Sequence, residues 1–327
     1  MIRAFGVLLG AALLLAAGVW LSLRAYEAPG PSAEPHVVVV PRASLDEVAA
    51  LLAQEGIVGN AMALRLAGLA TRGQGAPKAG EFAFPARASL RQVLHVLRAG
   101  RAVQHRLTIP EGLTSAQIAL LFDRAQALDG APVVPAEGML LPETYAYERG
   151  TSRATVAERG ARAMERALDR AWAARIPASA PLASPQEALV LASIVERETG
   201  RPEERPRVAA VFLNRLRRGM KLQSDPTVVY GASGGLGVLD HGITRAELDS
   251  DNPYNTYRNP GLPPGPISMP GLAALTAVTQ PLPVDDLFFV ADGTGGHLFA
   301  RTEQEHARNV ARWRDIERQR LAKPLSD

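Results

Sequence analysis

SPQEALVLASIVERETG, residues 184–200, is an apolar run of helical length with a start signal at one end and a stop signal at the other. Ser184 is a good N-cap, Pro185 suits the first helical position, and Glu187 completes a Ser-x-x-Glu capping box. Gly200, followed by Pro202, predicts where the helix stops. Two carboxylates, Glu196 and Glu198, flank Arg197 in its last turn. At about 100° per residue, positions two apart face nearly opposite ways, so the two carboxylates meet different surroundings. Leu191, Ile194 and Val195 precede Glu198 by seven, four and three residues and give it an apolar stripe; Leu189, Ala192 and Ser193 give Glu196 a weaker one. Glu198 is therefore expected to be the more buried of the two. Burial and the negative end of the helix dipole both disfavour its charged form, and a carboxyl protonated near neutral pH is a general acid. The same stretch also reads as an ordinary helix end, its glutamates solvated or paired with Arg197, Arg201 or Arg205.

Downstream, Glu203 to Arg218 predicts a second helix ended by Gly219, with its RLRR (215–218) as a solvated face. Between Gln223 and Pro270 lies dense polar material without periodicity: LQSDPTVVYG (222–231) and NPYNTYRNPGLPPGPISMPG (252–271). Proline lowers loop entropy, so such loops can hold side chains in place. Asn, Asp, Gln and Thr match sugar hydroxyls and Tyr rings match sugar faces, which makes Gln223, Asp225, Tyr230, Asn255, Thr256 and Tyr257 candidate carbohydrate contacts. Structureless connections longer than about 12–15 residues are uncommon unless functional. Next, DLFFVADGTGGHLFA (286–300) reads as a hairpin with a Gly-rich turn, and a helix capped by Thr302 and Glu305 follows. That turn lacks the Lys and Ser/Thr of a phosphate loop. His297, beside it, reads as a structural histidine.

Upstream, HRLTIPEGLTSAQIALLF (105–122) gives strand, turn and helix, and Arg153 to Arg175 a charged, Ala-rich helix expected to form a solvated outer layer. Further back, Arg42-Ala-Ser-Leu and Arg87-Ala-Ser-Leu open two copies of RASLxxVxxxL, offset by 45. Each copy follows a β-like run, HVVVV or EFAF, and puts a Ser N-cap, Ser44 or Ser89, ahead of an amphipathic helix. They predict a small α/β module over about residues 36–105. Glu27 to Pro35, EAPGPSAEP, reads as a semi-rigid Pro-rich linker separating membrane from domain. Ala4 to Leu23 passes twenty residues without a charge, bracketed by Arg3 and Arg24. That is the length of a membrane-spanning helix, longer than the roughly 7–15-residue apolar core of a cleavable signal peptide. The reading is an uncleaved signal anchor with the bulk of the chain exported.

Composition narrows the classes. At 327 residues there is room for two domains. The net charge of +3 and pI near 9.4 come from scattered Arg rather than a basic run, so nucleic acid is not implied. The absence of cysteine excludes disulfides, thiolate metal sites and a Cys nucleophile. There is no HExxH among the six His, and no GxSxG elbow despite GASGG at 231–235. Nothing calls for a metal or another cofactor.

Four segments in order, LASIVERETG (191–200), RVAAVFLNRLRRGMKLQSDPTVVYG (207–231), the 252–271 loop and FFVADGTGGHLF (288–299), resemble successive signatures of the endolytic murein transglycosylase (YceG-like) family. The resemblance implies an α+β chain: membrane anchor at 1–24, linker at 25–35, LysM-like module at 36–105 and catalytic domain at 106–327. It places the catalytic acid at Glu198. It implies cleavage of the MurNAc–GlcNAc β-1,4 bond within peptidoglycan strands, leaving 1,6-anhydro ends, by a protein of the bacterial inner membrane with its catalytic domain on the periplasmic side. Peptidoglycan synthases are candidate partners. One departure is Leu141-Pro-Glu-Thr-Tyr145, where the family commonly has Phe-Pro-Asp-Thr-Tyr, so no essential role is carried onto Glu143. Residue chemistry alone leaves open a murein hydrolase using Asp225 or Glu143 as its second carboxylate, and a non-catalytic glycan-binding scaffold that would tolerate neutralisation of Glu198.

Overall fold

The computed structural model describes residues 2–322, and in these the chain divides into two compact units. The first runs through His105 and includes Tyr147–Gly150; the second comprises Arg106–Ala146 and the chain from Thr151 onward.

In the first unit, helix α1 (Ile2–Glu27) precedes β1 (His36–Val40), α2 (Leu45–Gln54), α3 (Ala61–Ala70), β2 (Gly80–Phe84) and α4 (Leu90–Ala99). β1 and β2 pair antiparallel, Val38 opposite Phe82. Alternation puts Val38, Val40, Phe82 and Phe84 inward, where they meet Leu52, Leu64, Leu94 and Leu97 of the helices. The two RASL copies fold alike: Ser44 and Ser89 have near-identical backbones and form full capping boxes with Glu47 and Gln92. α3 is the element between them that the repeat did not announce.

The linker departs from expectation. Rather than standing free, it is bonded to the module: the Gly30 N–H donates to Arg87 O at 3.1 Å, and the Arg87 N–H donates to Ser32 O at 2.7 Å. Tyr26 packs on the module core, and Glu27 pairs with Arg91 at 3.0 Å. Proline density signalled a stiff segment but carried no information about what it docks on.

The second unit contains β3 (Gln104–Thr108, which begins in the first unit), α5 (Ser115–Arg124), β4 (Leu128–Asp129), β5 (Thr144–Glu148, which ends in the first unit), β6 (Thr151–Ser152) and α6 (Arg153–Ala173). Then come α7 (Pro185–Glu198), α8 (Arg205–Arg217), α9 (Asp225–Ala232), α10 (Arg245–Leu248), α11 (Leu272–Thr279), β7 (Phe288–Ala291), β8 (His297–Ala300) and α12 (Glu303–Ala322). Its core is helical, with α7 at the centre and α6, α8 and α11 packed around it. Every residue of α7 from Ala188 to Glu196 is buried. α6 is solvated on one side only; Val156, Met164 and Leu168 form a buried stripe. The hairpin expected at 286–300 is present, with Phe288 opposite Ala300.

The start of α7 is as read, with one change. Ser184 Oγ accepts from the Glu187 N–H at 3.2 Å, but the Glu187 carboxylate takes the Ala183 N–H at 2.6 Å, not that of Ser184. At the other end Thr199, in extended conformation, stops the helix one residue before Gly200.

Candidate active site

Because α7 is enclosed on several sides, both of its terminal carboxylates are drawn into protein, and the faces they occupy decide their fates. Glu196 exposes the smaller surface, 9%, while desolvation acts more strongly on the Glu198 carboxyl, as expected. From Ala188 to Glu196, α7 has no face open to solvent. Glu196 Oε1 accepts from Arg205 Nη2 at 2.8 Å, and Oε2 accepts the Gly271 N–H, at the start of α11, at 2.9 Å. Burial raises its pKa, while Gly271 and Arg205 oppose the shift. The pairing with Arg205 expected of an ordinary helix end is therefore found, on Glu196.

Glu198 faces the other way and stays partly open to solvent. Among the described residues no cation forms an ion pair with it. Its Oε1 accepts from Ser224 Oγ. Desolvation raises its pKa to about 7; the Ser224 hydrogen bond and the Arg215 guanidinium work against this, and the Asp225 charge adds to it. A carboxyl balanced at that value can give a proton at neutral pH and take one back.

The loop residues meet around Glu198 through a chain of short bonds. The Ser224 N–H donates to Thr256 Oγ1 at 2.9 Å, Thr227 Oγ1 lies 2.9 Å from the same atom, and Thr227 Oγ1 donates to Ser224 O at 2.7 Å. Tyr257 OH donates to Asp225 Oδ1 at 2.6 Å, and burial pushes that phenol upward. Gln223 holds a left-handed backbone (φ 50°), a conformation that costs a non-glycine residue about 1–3 kcal/mol and clusters at functional sites.

Of the six expected sugar contacts, Gln223 and Asp225 are exposed and Tyr257 half-buried. Asn255 and Thr256 are enclosed, each 1% exposed. The Asn255 amide donates to the carbonyls of Glu247, Leu248 and Ser250, and its oxygen accepts from the Tyr257 N–H. Buried, with these bonds made within the protein, the Asn255 side chain shapes the loop. Tyr230 is tied elsewhere, its hydroxyl donating to Glu137 at 3.2 Å and its ring lying 4.8 Å from that of Tyr254. His297 is structural, with Nδ1 2.7 Å from Glu204.

Two residues at the site escaped the sequence reading. Ser224 stood between two named candidates. Arg215, in the RLRR taken for a solvated face, is buried: it donates to Leu287 O at 2.7 Å and to Leu222 O at 2.7 Å, and its charge acts on Glu198. The signal existed, since Val208 and Val211 precede it by seven and four residues on the apolar stripe of α8.

This arrangement can be set beside known proteins. The YceG-like family profile matches residues 37–312. The chain belongs to the YceG-like family. A crystal structure of a putative YceG-like protein from Listeria monocytogenes superposes with a TM-score of 0.55 at 27% identity, covering 85% of this chain and 99% of that one. The endolytic murein transglycosylase of Streptococcus pneumoniae (strain D39) is 36% identical over 181 residues, 54% of this chain. That of Bacillus subtilis (strain 168) is 41% identical over 118 residues, 36% of this chain. The match covers 32% of the length of each of these two relatives. YceG-like membership and the mixed helix-and-strand fold are thereby established, and α1 fits a single-pass anchor by length and composition.

Proposed function

We propose that this protein is an endolytic murein transglycosylase, cutting the MurNAc–GlcNAc β-1,4 bond within peptidoglycan strands, with Glu198 as its acid–base group. The observation that carries the reading is the Glu198 carboxyl, raised to about 7, bonded to Ser224 Oγ and partly open, in a loop setting with the exposed Gln223 and Asp225. Protonated Glu198 gives its proton to the departing glycosidic oxygen as that C–O bond breaks. The resulting carboxylate then accepts the proton of the muramic 6-hydroxyl as O6 bonds to the anomeric carbon. A 1,6-anhydro end results, no water is consumed, and Glu198 returns to its starting state.

Asp225 sustains a second reading. It lies near enough for its charge to act on Glu198, so it could activate water in a two-carboxylate hydrolysis. Digestion of purified glycan strands in ¹⁸O-water separates the two: anhydro ends lacking solvent oxygen are expected, and reducing ends carrying ¹⁸O would select the hydrolase.

The proposal extends to the whole chain. α1 spans the inner membrane, the catalytic unit faces the periplasm, the small unit is a LysM-like module that holds glycan, and peptidoglycan synthases are partners. The length and apolarity of α1 and the paired strands with capped helices of the small unit support this assignment.

A further inference from the structure

The small unit carries an apolar surface that its core does not use. On α3, Leu64 and Gly68 face inward, while Met62, Leu66 and Leu69 are 53%, 58% and 49% exposed. Spaced by four and then three residues, they form one stripe of a helix. The sole charge in α3 is Arg65, and it is paired with Asp46 at 2.7 Å.

This helix runs beside α1. An open groove of about 1030 Å³ has Ala11, Leu15 and Val19 of α1 on one wall and Ala63, Leu66 and Ala70 of α3 on the other. A second groove, of about 1010 Å³, shares Leu23, Tyr26 and Thr71 with the first and is mixed in character: Arg91 is paired there with Glu27, and the buried Arg98 donates to Thr71 Oγ1 and Gly68 O. The occupant follows from the wall. The α1 segment Leu8–Glu27 is long and apolar enough to cross a bilayer and is unburied in the protein, so whatever solvates α1 also fills the groove it lines. Trp20, with Arg24 4.2 Å from its ring, has the character of a residue at the membrane–water boundary.

We propose that α3 is seated in the membrane beside α1, with acyl chains of bilayer phospholipids filling the apolar groove. The inference rests on the reading of α1 as a membrane span. On this account the module is partly sunk in the bilayer rather than carried above it.

The chain has no cysteine, so single Cys variants need no altered background. Full-length Leu14→Cys, Leu66→Cys and Glu55→Cys proteins, each nitroxide-labelled at an exposed position, are reconstituted in phosphatidylethanolamine–phosphatidylglycerol vesicles. Collision with oxygen is compared with collision with an aqueous nickel chelate. The expected result is a shift in favour of oxygen at positions 14 and 66 and in favour of nickel at 55. Oxygen preference at 14 with nickel access at 66, or shelter from both reagents at 66 as against a second protein copy, overturns the inference while leaving the anchor intact. Nickel access at 14 overturns both.

Discussion

Glu196 and Glu198 lie two positions apart, and burial raises the pKa of each, yet their partners lead to opposite uses. Glu196→Gln leaves Arg205 with only the more exposed Glu111, 3.4 Å away, where stripping a buried ion of every partner would cost about 3–5 kcal/mol, so a part of that is lost. Stability is expected to fall while cleavage per folded molecule is largely kept. Glu198→Gln preserves an acceptor for Ser224 and removes the acid, so cleavage should drop by about 10²–10⁴ with folding intact. Urea unfolding and glycan digestion on both variants check this; equal loss of cleavage per folded molecule from the two would reject the assignment. Glu198 also makes stability depend on pH with a definite sign. Its folded pKa of about 7 lies above the ordinary 4.5, so between those values the folded state binds more protons than the unfolded, and stability falls as pH rises through that window. One pKa unit corresponds to about 1.4 kcal/mol, and partial exposure reduces the total, leaving about 1–3 kcal/mol. Glu198→Gln should therefore be more stable than the parent by that amount at pH 8 and no different at pH 4.5. An identical difference at both pH values would show that burial does not perturb this carboxyl.

At the scale of the elements, what was legible came from local chemistry. The N-caps Ser44, Ser89 and Ser184, the hairpin and the Glu203–Arg218 helix all follow from signals within a few residues of themselves. What was not legible depended on neighbours far along the chain. The burial of Glu196 required α11 to cover it, and the burial of Arg215 required Leu287 and Leu222 to arrive with carbonyls to accept its bonds. Among the loop candidates, composition located the region, but tertiary bonds decided which side chains face out, leaving Gln223 and Asp225 exposed and Asn255 inside. Arg215 thus ties α8 to the loop that carries Ser224 and to the strand side of the unit. Arg215→Met removes the donors of two buried carbonyls, each worth about 1–3 kcal/mol if left unsatisfied, and deletes the charge that favours ionised Glu198. A loss of stability is expected, together with an upward move of the pH at which cleavage falls in the protein that remains folded. A pH–rate profile for glycan digestion checks the second part; a downward move would mean that Arg215 does not act on Glu198.

At the scale of the molecule, the segment between anchor and module was read as a tether, and its bonding makes it a splint within the first unit. A Pro-rich chain of nine residues in extended form would reach about 3.1 Å per residue and leave its two ends independent. Here the backbone bonds of Gly30 and Ser32 with Arg87, and the Glu27–Arg91 pair, join α1 to the module directly. The surface ion pair contributes little, on the order of 0–1 kcal/mol, so the backbone contacts carry most of the coupling. Gly30 is where this coupling is most sensitive. A Cβ there would lie 2.4 Å from Ala88 O, a backbone atom that cannot swing aside. Gly30→Ala is therefore expected to lift the linker and free the Gly30 and Arg87 amides, whose acceptors are Arg87 O and Ser32 O. Their hydrogen exchange should accelerate toward that of unstructured chain, while amides of β1 and β2 keep their protection and detergent-solubilised protein cleaves glycan at the parental rate. Unchanged exchange at Arg87 in the variant would show that the linker is held by something other than this contact. Accelerated exchange throughout β1 and β2 would show instead that the docked linker is an integral part of the module's fold, and that anchor and module cannot be separated by a single substitution.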